Sequence, residues 1–314
     1  MGTIRTPRSG SLQFWPRKRA NKFLPSVNWS SLKSDSTKGL KGFIGYKAGM
    51  ISGFVLDNTP DSMTKGKKII VPLTVIECPK ARIFSIRFYK NGKVAKEIVS
   101  KNLDKELKRA VKIGKKEHES PDNVKDYDDI RVIIYSDAKS TGIKKMPDLS
   151  EVALTGSLDE KLNFAKANLH KEISVSEIFE KGKLVDVRGL TKGKGLQGPV
   201  KRLGISLKFH KSEKGQRRPG SLGPWHPLRV TYLAPMAGQM GMFTRVVYNN
   251  EIVEISNEKT REIKNLKNYG DVHNDYVLVR GSVPGPAKRQ LLLTPSFRET
   301  KKQAKKDFQL LELR

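Results

Sequence analysis

At 314 residues and 37% hydrophobic content, the chain has room for about two domains and a packed core. Lys and Arg number 61 against 32 Asp and Glu, a formal charge of +29; a compact protein rarely carries such self-repulsion without a polyanion to neutralise it, which makes nucleic acid the leading partner class. The single cysteine, Cys78, excludes a disulfide scaffold and a cysteine-based zinc site and fits a reducing cytosol, and neither an 18-residue apolar run nor a basic helix with an aromatic face points to a membrane.

The first stretch, "MGTIRTPRSGSLQFWPRKRA", is basic but lacks the apolar region of a secretory signal. Pro7, Pro16 and Pro25 punctuate a run that holds Arg17-Lys18-Arg19 and two tryptophans, so residues 1–40 are predicted to be an extended basic N-terminal arm. From Gly42 the pattern changes to short Ile-, Val- and Phe-rich runs with turn signals, "FIGYKAGM", "ISGFVLD" and "KIIVPLTVIECP", each read as a strand.

Residues 81–182 mix the two periodicities. "RIFSIRFYK" and "IRVIIYS" read as strands, whereas Leu103, Leu107 and Val111 predict a helix over 102–117. Ser157 with Glu160 forms a capping box ahead of Leu158, Leu162, Ala165 and Leu169, a second helix, and Ser174 with Glu177 starts a third, shorter one. Strand patterns return in "LVDVRGL", "FTRVVYN", "EIVEISN" and "YVLVRGSV". The fold class is therefore mainly β with an inserted α+β subdomain at 81–182. A discontinuous closed or partly closed β-barrel over 41–80, 183–192 and 241–290 buries so many short strands without open edges. Residues 193–240 read as a central basic loop extension and 291–314 as a C-terminal tail.

The charge is unevenly placed. Residues 1–50 carry ten basic side chains against one acid, Asp35, and residues 187–250 carry twelve against one, Glu213. A folded body with basic arms has this distribution; a uniformly basic surface does not.

Gly193, Gly195 and Gly198 spell G-x-G-x-x-G after a predicted strand, but the dinucleotide reading fails in context. Gly204 interrupts the helix that should follow, and residues 214–250 contain no acid for a ribose. The glycines instead let backbone approach a phosphate chain while Lys192, Lys194, Lys201 and Arg202 neutralise it; a plain loop is the alternative. The five histidines lack metal-ligand spacing, so no metal or cofactor is expected. His226 has no acid or nucleophile beside it to orient it as a base, and it reads better as a ring that stacks or hydrogen-bonds on RNA. No acid lies within "PGSLGPWHPLRVTYLAPMAGQMGM", and Trp225 has few apolar neighbours until Leu228, Val230 and Leu233; a base stacked on such a ring is worth about 1–3 kcal/mol without sequence readout. For Trp15 and Trp29, packing and stacking both stay open. Lys208, Lys211, Lys214, Arg217 and Arg218 line the approach to Trp225, and Arg229 follows it. No helix-turn-helix, zinc finger or basic zipper is present to enter a major groove, so DNA is not expected as a partner and folded RNA is.

Six ordered segments, "PRSGSLQFWPRKRA" (7–20), "FIGYKAGM" (43–50), "VDVRGLTKGKGLQGPVKRLG" (185–204), "PGSLGPWHP" (219–227), "AGQMG" (237–241) and "GSVPGPAKR" (281–289), resemble the universal large-subunit ribosomal protein three family in its archaeal and eukaryotic form. The resemblance implies a translation-protein-type barrel on large-subunit (23S-type) rRNA, with long non-globular basic extensions, the central one reaching toward the peptidyl transferase centre, and entry early in subunit assembly. It implies a cytoplasmic protein of the large ribosomal subunit with neighbouring ribosomal proteins as partners. It also implies rRNA contacts, not catalysis, for the glycine-rich turn Gly193–Gly198, for Arg217 and Arg218, and for Trp225 at the family's tryptophan position. With the residues read from charge and ring character, the expected rRNA contacts are Arg8, Trp15, Arg17, Lys18, Arg19, Lys192, Lys194, Gly195, Lys201, Arg202, His210, Lys211, Lys214, Arg217, Arg218, Trp225, His226, Arg229, Lys288 and Arg289. The loop ahead of the tip reads "KGQRRPGS" where eukaryotic members carry a histidine, so no role of a modified histidine is carried over. The rival reading is an RNA-modifying enzyme that uses the same basic face; it requires a cofactor or metal pocket.

Overall fold

A computed structural model of the chain describes residues 15–32, 37–101, 103–112, 121, 124, 126–225, 228–257 and 260–314. In chain order the elements are β1 (Phe43–Asp57), β2 (Lys68–Glu77), β3 (Ala81–Lys90), β4 (Lys93–Val99), β5 (Asp129–Ser136), β6 (Leu149–Ala153), α1 (Leu158–Asn168), β7 (Leu184–Leu190), β8 (Leu196–Gln197), α2 (Pro199–Leu203), β9 (Gly238–Gln239), β10 (Thr244–Ser256), β11 (Tyr276–Arg280), β12 (Gln290–Pro295), α3 (Lys301–Ala304) and β13 (Phe308–Leu313). The protein is mainly β, as its runs of β-branched and aromatic residues require. A seven-stranded sheet has the order β12-β7-β10-β11-β2-β1-β13, with β12 pairing β1 as well; β4-β3-β5-β6 form a second sheet and β8-β9 a short ribbon.

The chain divides into two compact units, one of residues 15–23 with 190–245 and one of residues 24–189 with 246–314. In the larger unit the side-chain alternation of a strand decides what is buried. Along β11, Val277 and Val279 enter a core cluster that also holds Phe43, Ile76, Ile86, Val132, Val152 and Leu293, while Tyr276 and Leu278 enter a second cluster with Val55, Leu73, Val253 and Phe308. The first cluster takes residues from both larger sheets, so the segment 81–182 shares its core with the seven-stranded sheet.

Several expectations are corrected. "FIGYKAGM" and "ISGFVLD" are one strand: β1 pairs β2 antiparallel from Tyr46↔Glu77 to Leu56↔Lys68, with one register shift between Lys47 and Gly49 and none at the Met50–Ile51 junction. "FTRVVYN" and "EIVEISN" likewise join in β10; Asn249 takes a left-handed φ of 55° and donates its N–H to Asp186 Oδ1 at 2.9 Å, so the Asn-Asn pair bends the strand without ending it. Of the helix expected over 102–117, the described residues form only a 3-10 turn at Lys105–Arg109. Asp104, in the capping position, gives its carboxylate to Arg82 and Tyr135 and not to the helix end. The box at Ser174 and Glu177 opens another 3-10 turn, Val175–Glu177, where a short helix is expected. Ser157 and Glu160 do exchange both capping bonds, and α1 follows.

Two stretches outside the predicted strands and helices also belong to the body. Within the expected arm, Trp29, Leu32 and Leu40 are buried in the core and Leu24 and Val27 pack against it, because five apolar side chains in 17 positions gain more from burial than from an exposed path. Gln290–Pro295, which begins at the last residue of the expected barrel and runs into the expected tail, and Phe308–Leu313 within that tail are strands, both hydrogen-bonded to β1.

Candidate nucleic-acid interface

The unit of residues 15–23 and 190–245 has little regular structure and is held by a few backbone contacts. Leu196 and Gln197 of β8 pair with Gln239 and Gly238 of β9, and the Lys194 N–H donates to Met240 O and the Met240 N–H to Gly195 O, both at 2.9 Å. Gly241, at φ +78°, is required here: a Cβ would stand 2.0 Å from the Lys192 carbonyl oxygen. Gly195, at φ +63°, has nothing within 4 Å of the same position, so that backbone faces open space. α2 starts on Gly198 with Pro199 in its first turn and stops at Gly204 in the left-handed region, which fixes Lys201 and Arg202 on one short turn.

Trp15 is the anchor of the N-terminal segment. Its ring meets Tyr232 edge-on at 5.9 Å between centroids, and the Arg17 and Arg202 guanidinium groups lie 5.4 and 5.8 Å from the ring centre. Arg17 Nη1 donates to Arg202 O at 3.3 Å, and Arg202 donates through Nε to Gln239 O and through Nη1 to Met236 O. Arg202 is therefore a cross-brace of this unit, a role that a count of basic residues does not reveal. Trp15, left open between packing and stacking, packs here on its own unit.

Farther along, the Lys208 N–H donates to Gln216 O at 3.1 Å, closing a loop on which His210, Lys211 and Lys214 are exposed; the His210 ring lies 4.2 Å from that of Phe209. Arg217, Arg218 and Arg229 are exposed, and Trp225 is 88% exposed. Leu207, Phe209, Leu228 and Tyr232 are exposed as well, so this unit displays apolar and aromatic surface between its cations. Arg8 and His226 lie outside the described residues.

The charges of the two units are arranged differently. In the larger one, acids and bases interlock on the four-stranded sheet: Arg87 contacts Glu97 and Glu151, Arg131 contacts Glu151 and Asp129, and Lys161 reaches Asp129 at 2.7 Å. Among the described residues, Lys192, Lys194, Lys201, Lys208, Lys211, Lys214, Arg217, Arg218 and Arg229 make no ion pair, and Glu213 is the only acid of residues 190–245. Such a surface attracts anions over its whole extent. Lys288 and Arg289 belong to the larger unit, on the turn that enters β12. Lys47 holds that turn, donating from Nζ to Val283 O at 2.9 Å and Gly285 O at 3.0 Å while its backbone O accepts from the Lys288 N–H. Residue-by-residue reading misses Phe243 and Arg245, because "FTRVVYN" alternates like a strand and absorbs them; the Arg245 guanidinium lies 5.4 Å from the Phe243 ring centre.

A family profile described as "Ribosomal protein L3" matches residues 1–312. The large ribosomal subunit protein uL3 of Methanococcus vannielii is 42% identical over 307 residues, covering 93% of this chain and 91% of the relative. That of Methanocaldococcus jannaschii is 39% identical over 311 residues, covering 94% and 92%. That of Archaeoglobus fulgidus is 41% identical over 315 residues, covering 94% and 93%.

Proposed function

The chain belongs to the ribosomal protein L3 family, a structural and non-enzymatic component of the large ribosomal subunit, and on that premise we propose that it binds large-subunit rRNA through the unit of residues 15–23 and 190–245. The observation that carries this is the set of exposed lysines and arginines with no ion pair, interleaved with exposed Phe209, Trp225 and Tyr232. Cations neutralise phosphates and release their counterions, while aromatic rings accept unpaired bases. Lys18, Arg19, Lys192, Lys194, Lys201, Lys211, Lys214, Arg217, Arg218 and Arg229 serve as phosphate contacts, Gly195 as a point of close backbone approach, and Trp225 as a stacking platform. Arg202 serves the interface chiefly by bracing it, and Lys288 and Arg289 add a second basic point on the larger unit.

The larger unit is the anchor on the subunit surface. Its pairing circuit runs β1-β2-β11-β10-β7-β12 and back to β1, which supports a closed barrel of the translation-protein type with β13 added outside the ring and the four-stranded sheet as the insertion. The segment 193–240 is then the central extension that reaches toward the peptidyl transferase centre, and neighbouring large-subunit proteins complete the site.

A salt titration of the full-length protein on a large-subunit rRNA fragment tests the reading. Contacts to Z phosphates give a log-log slope of about −0.7Z to −0.9Z, and at least five contacts are expected from the exposed cations; a flat dependence overturns it.

A further inference from the structure

A cleft lies wholly within the smaller unit, bounded by Trp15, Arg17, Lys18, Phe243 and Arg245. Three of these side chains are cationic and two aromatic, and none of the cleft's other lining residues, Pro16, Ala20 and Thr244, is acidic. Its walls are tied together and held. The Ala20 N–H donates to Met242 O at 3.0 Å, joining the N-terminal segment to the stretch that carries Phe243. Phe243 is bonded to Thr191 twice, accepting from its N–H at 3.0 Å and donating its own N–H to Oγ1 at 3.1 Å. Each aromatic wall has a guanidinium beside it, Arg17 at 5.4 Å from Trp15 and Arg245 at 5.4 Å from Phe243. The open space is about 270 Å³, just under the roughly 300–1,000 Å³ of pockets that enclose small ligands. That suits one nucleotide and excludes a duplex.

We propose that this cleft receives a single unpaired nucleotide of an RNA strand, its base against Phe243 and Trp15 and its phosphate against Arg17, Lys18 and Arg245. A paired base offers no free ring face, so the cleft discriminates a bulged or looped nucleotide from a helix, whereas the exposed lysines of the same unit take phosphates of either. The inference rests on the rRNA-binding reading and adds to it a defined pocket, with Phe243 and Arg245 as new contacts.

The test uses the full-length protein at one fixed salt concentration and two RNA hairpins of equal length, one fully paired and one with a single bulged 2-aminopurine. Wild-type protein is expected to bind both and to quench the bulged base. Phe243→Leu and Arg245→Gln are expected to weaken binding of the bulged hairpin about fivefold or more, the scale of one lost stacking or phosphate contact, and to leave the paired hairpin within about twofold. Arg245→Gln removes no core packing and carries the test if Phe243→Leu does not fold. If wild type binds both hairpins but the variants lose nothing, or lose equally on both, the pocket is refuted while the rRNA-binding reading stands. If wild type binds neither hairpin, both fall. Adenosine monophosphate competing as well as the bulged hairpin would make this a site for a free nucleotide and would equally overturn the proposal.

Discussion

The three tryptophans show how similar local sequence meets different fates. All three sit among basic residues, glycines and prolines, yet Trp29 is 5% exposed in the main core, Trp15 packs against Tyr232 with two guanidinium groups 5.4 and 5.8 Å from its ring centre, and Trp225 is 88% exposed. The difference lies in how much of each ring the fold covers: Trp29 has the surroundings of Leu32, Phe43 and Leu293, whereas most of the Trp225 ring stays in solvent. Trp225→Ala is therefore expected to change unfolding free energy by no more than about 0.5 kcal/mol, the usual range for an exposed site. Chemical probing of bound rRNA should nevertheless change, because a stacking surface is gone. A large loss of stability in urea unfolding would return Trp225 to a packing role.

At the scale of elements, buried charge marks where strands are joined. Asp186 on β7 accepts from the backbone N–H groups of Asn249 and Phe297, both at 2.9 Å, and so ties β10 and the end of β12 to β7 even as burial pushes its carboxyl upward. Glu251 on β10 is 6% exposed, with Arg280 Nη1 of β11 at 3.6 Å. Burial pushes Glu251 from its ordinary 4.5 to about 7, outweighing the attraction of Arg280 and Lys306. Its folded pKa lies above the unfolded one, so the folded protein holds the extra proton between the two values and stability falls as pH rises through about 7. Urea unfolding of wild type against Glu251→Gln should show that difference: wild type is expected to lose about 3 kcal/mol relative to the variant between pH 4.5 and 8. A difference independent of pH would mean that Glu251 does not titrate in this range.

The same scale shows where local patterns suffice. The capping box at Ser157 and the apolar run "LVDVRGL" give α1 and β7 with the expected limits, since each signal is satisfied within its own segment. Of the helix expected over 102–117, the described residues 103–112 form only a 3-10 turn because Asp104 is claimed by Arg82 from β3 and Tyr135 from β5. β12 and β13 escape notice because their strand character depends on β1 lying beside them.

For the whole molecule, a charge of +29 has two opposite consequences. In the free protein, like charges repel within a screening length of about 10 Å at 0.1 M salt. Raising KCl from about 0.02 to 0.3 M is thus expected to raise the thermal midpoint by a few degrees while it weakens RNA binding over the same range. Differential scanning fluorimetry and the rRNA titration read the two trends. A midpoint that falls with salt would show that attractive ion pairs, such as those of Arg87 and Arg131, dominate the balance.

The sequence by itself determined the mainly β character and the family, because strand periodicity and short ordered motifs are each written locally, and its charge composition pointed to a polyanion as partner. It also located most of the exposed cations of the proposed interface, since lysines and arginines in a segment nearly free of acids have few acids nearby to pair with. Only the tertiary structure decided which tryptophan is core, that Arg202 braces its unit, that Lys47 holds the turn of Lys288 and Arg289, and that Phe243 and Arg245 share a cleft with Trp15. Each of these depends on side chains distant in the chain meeting at a few ångströms, and burial and hydrogen bonding at such range are properties of the fold.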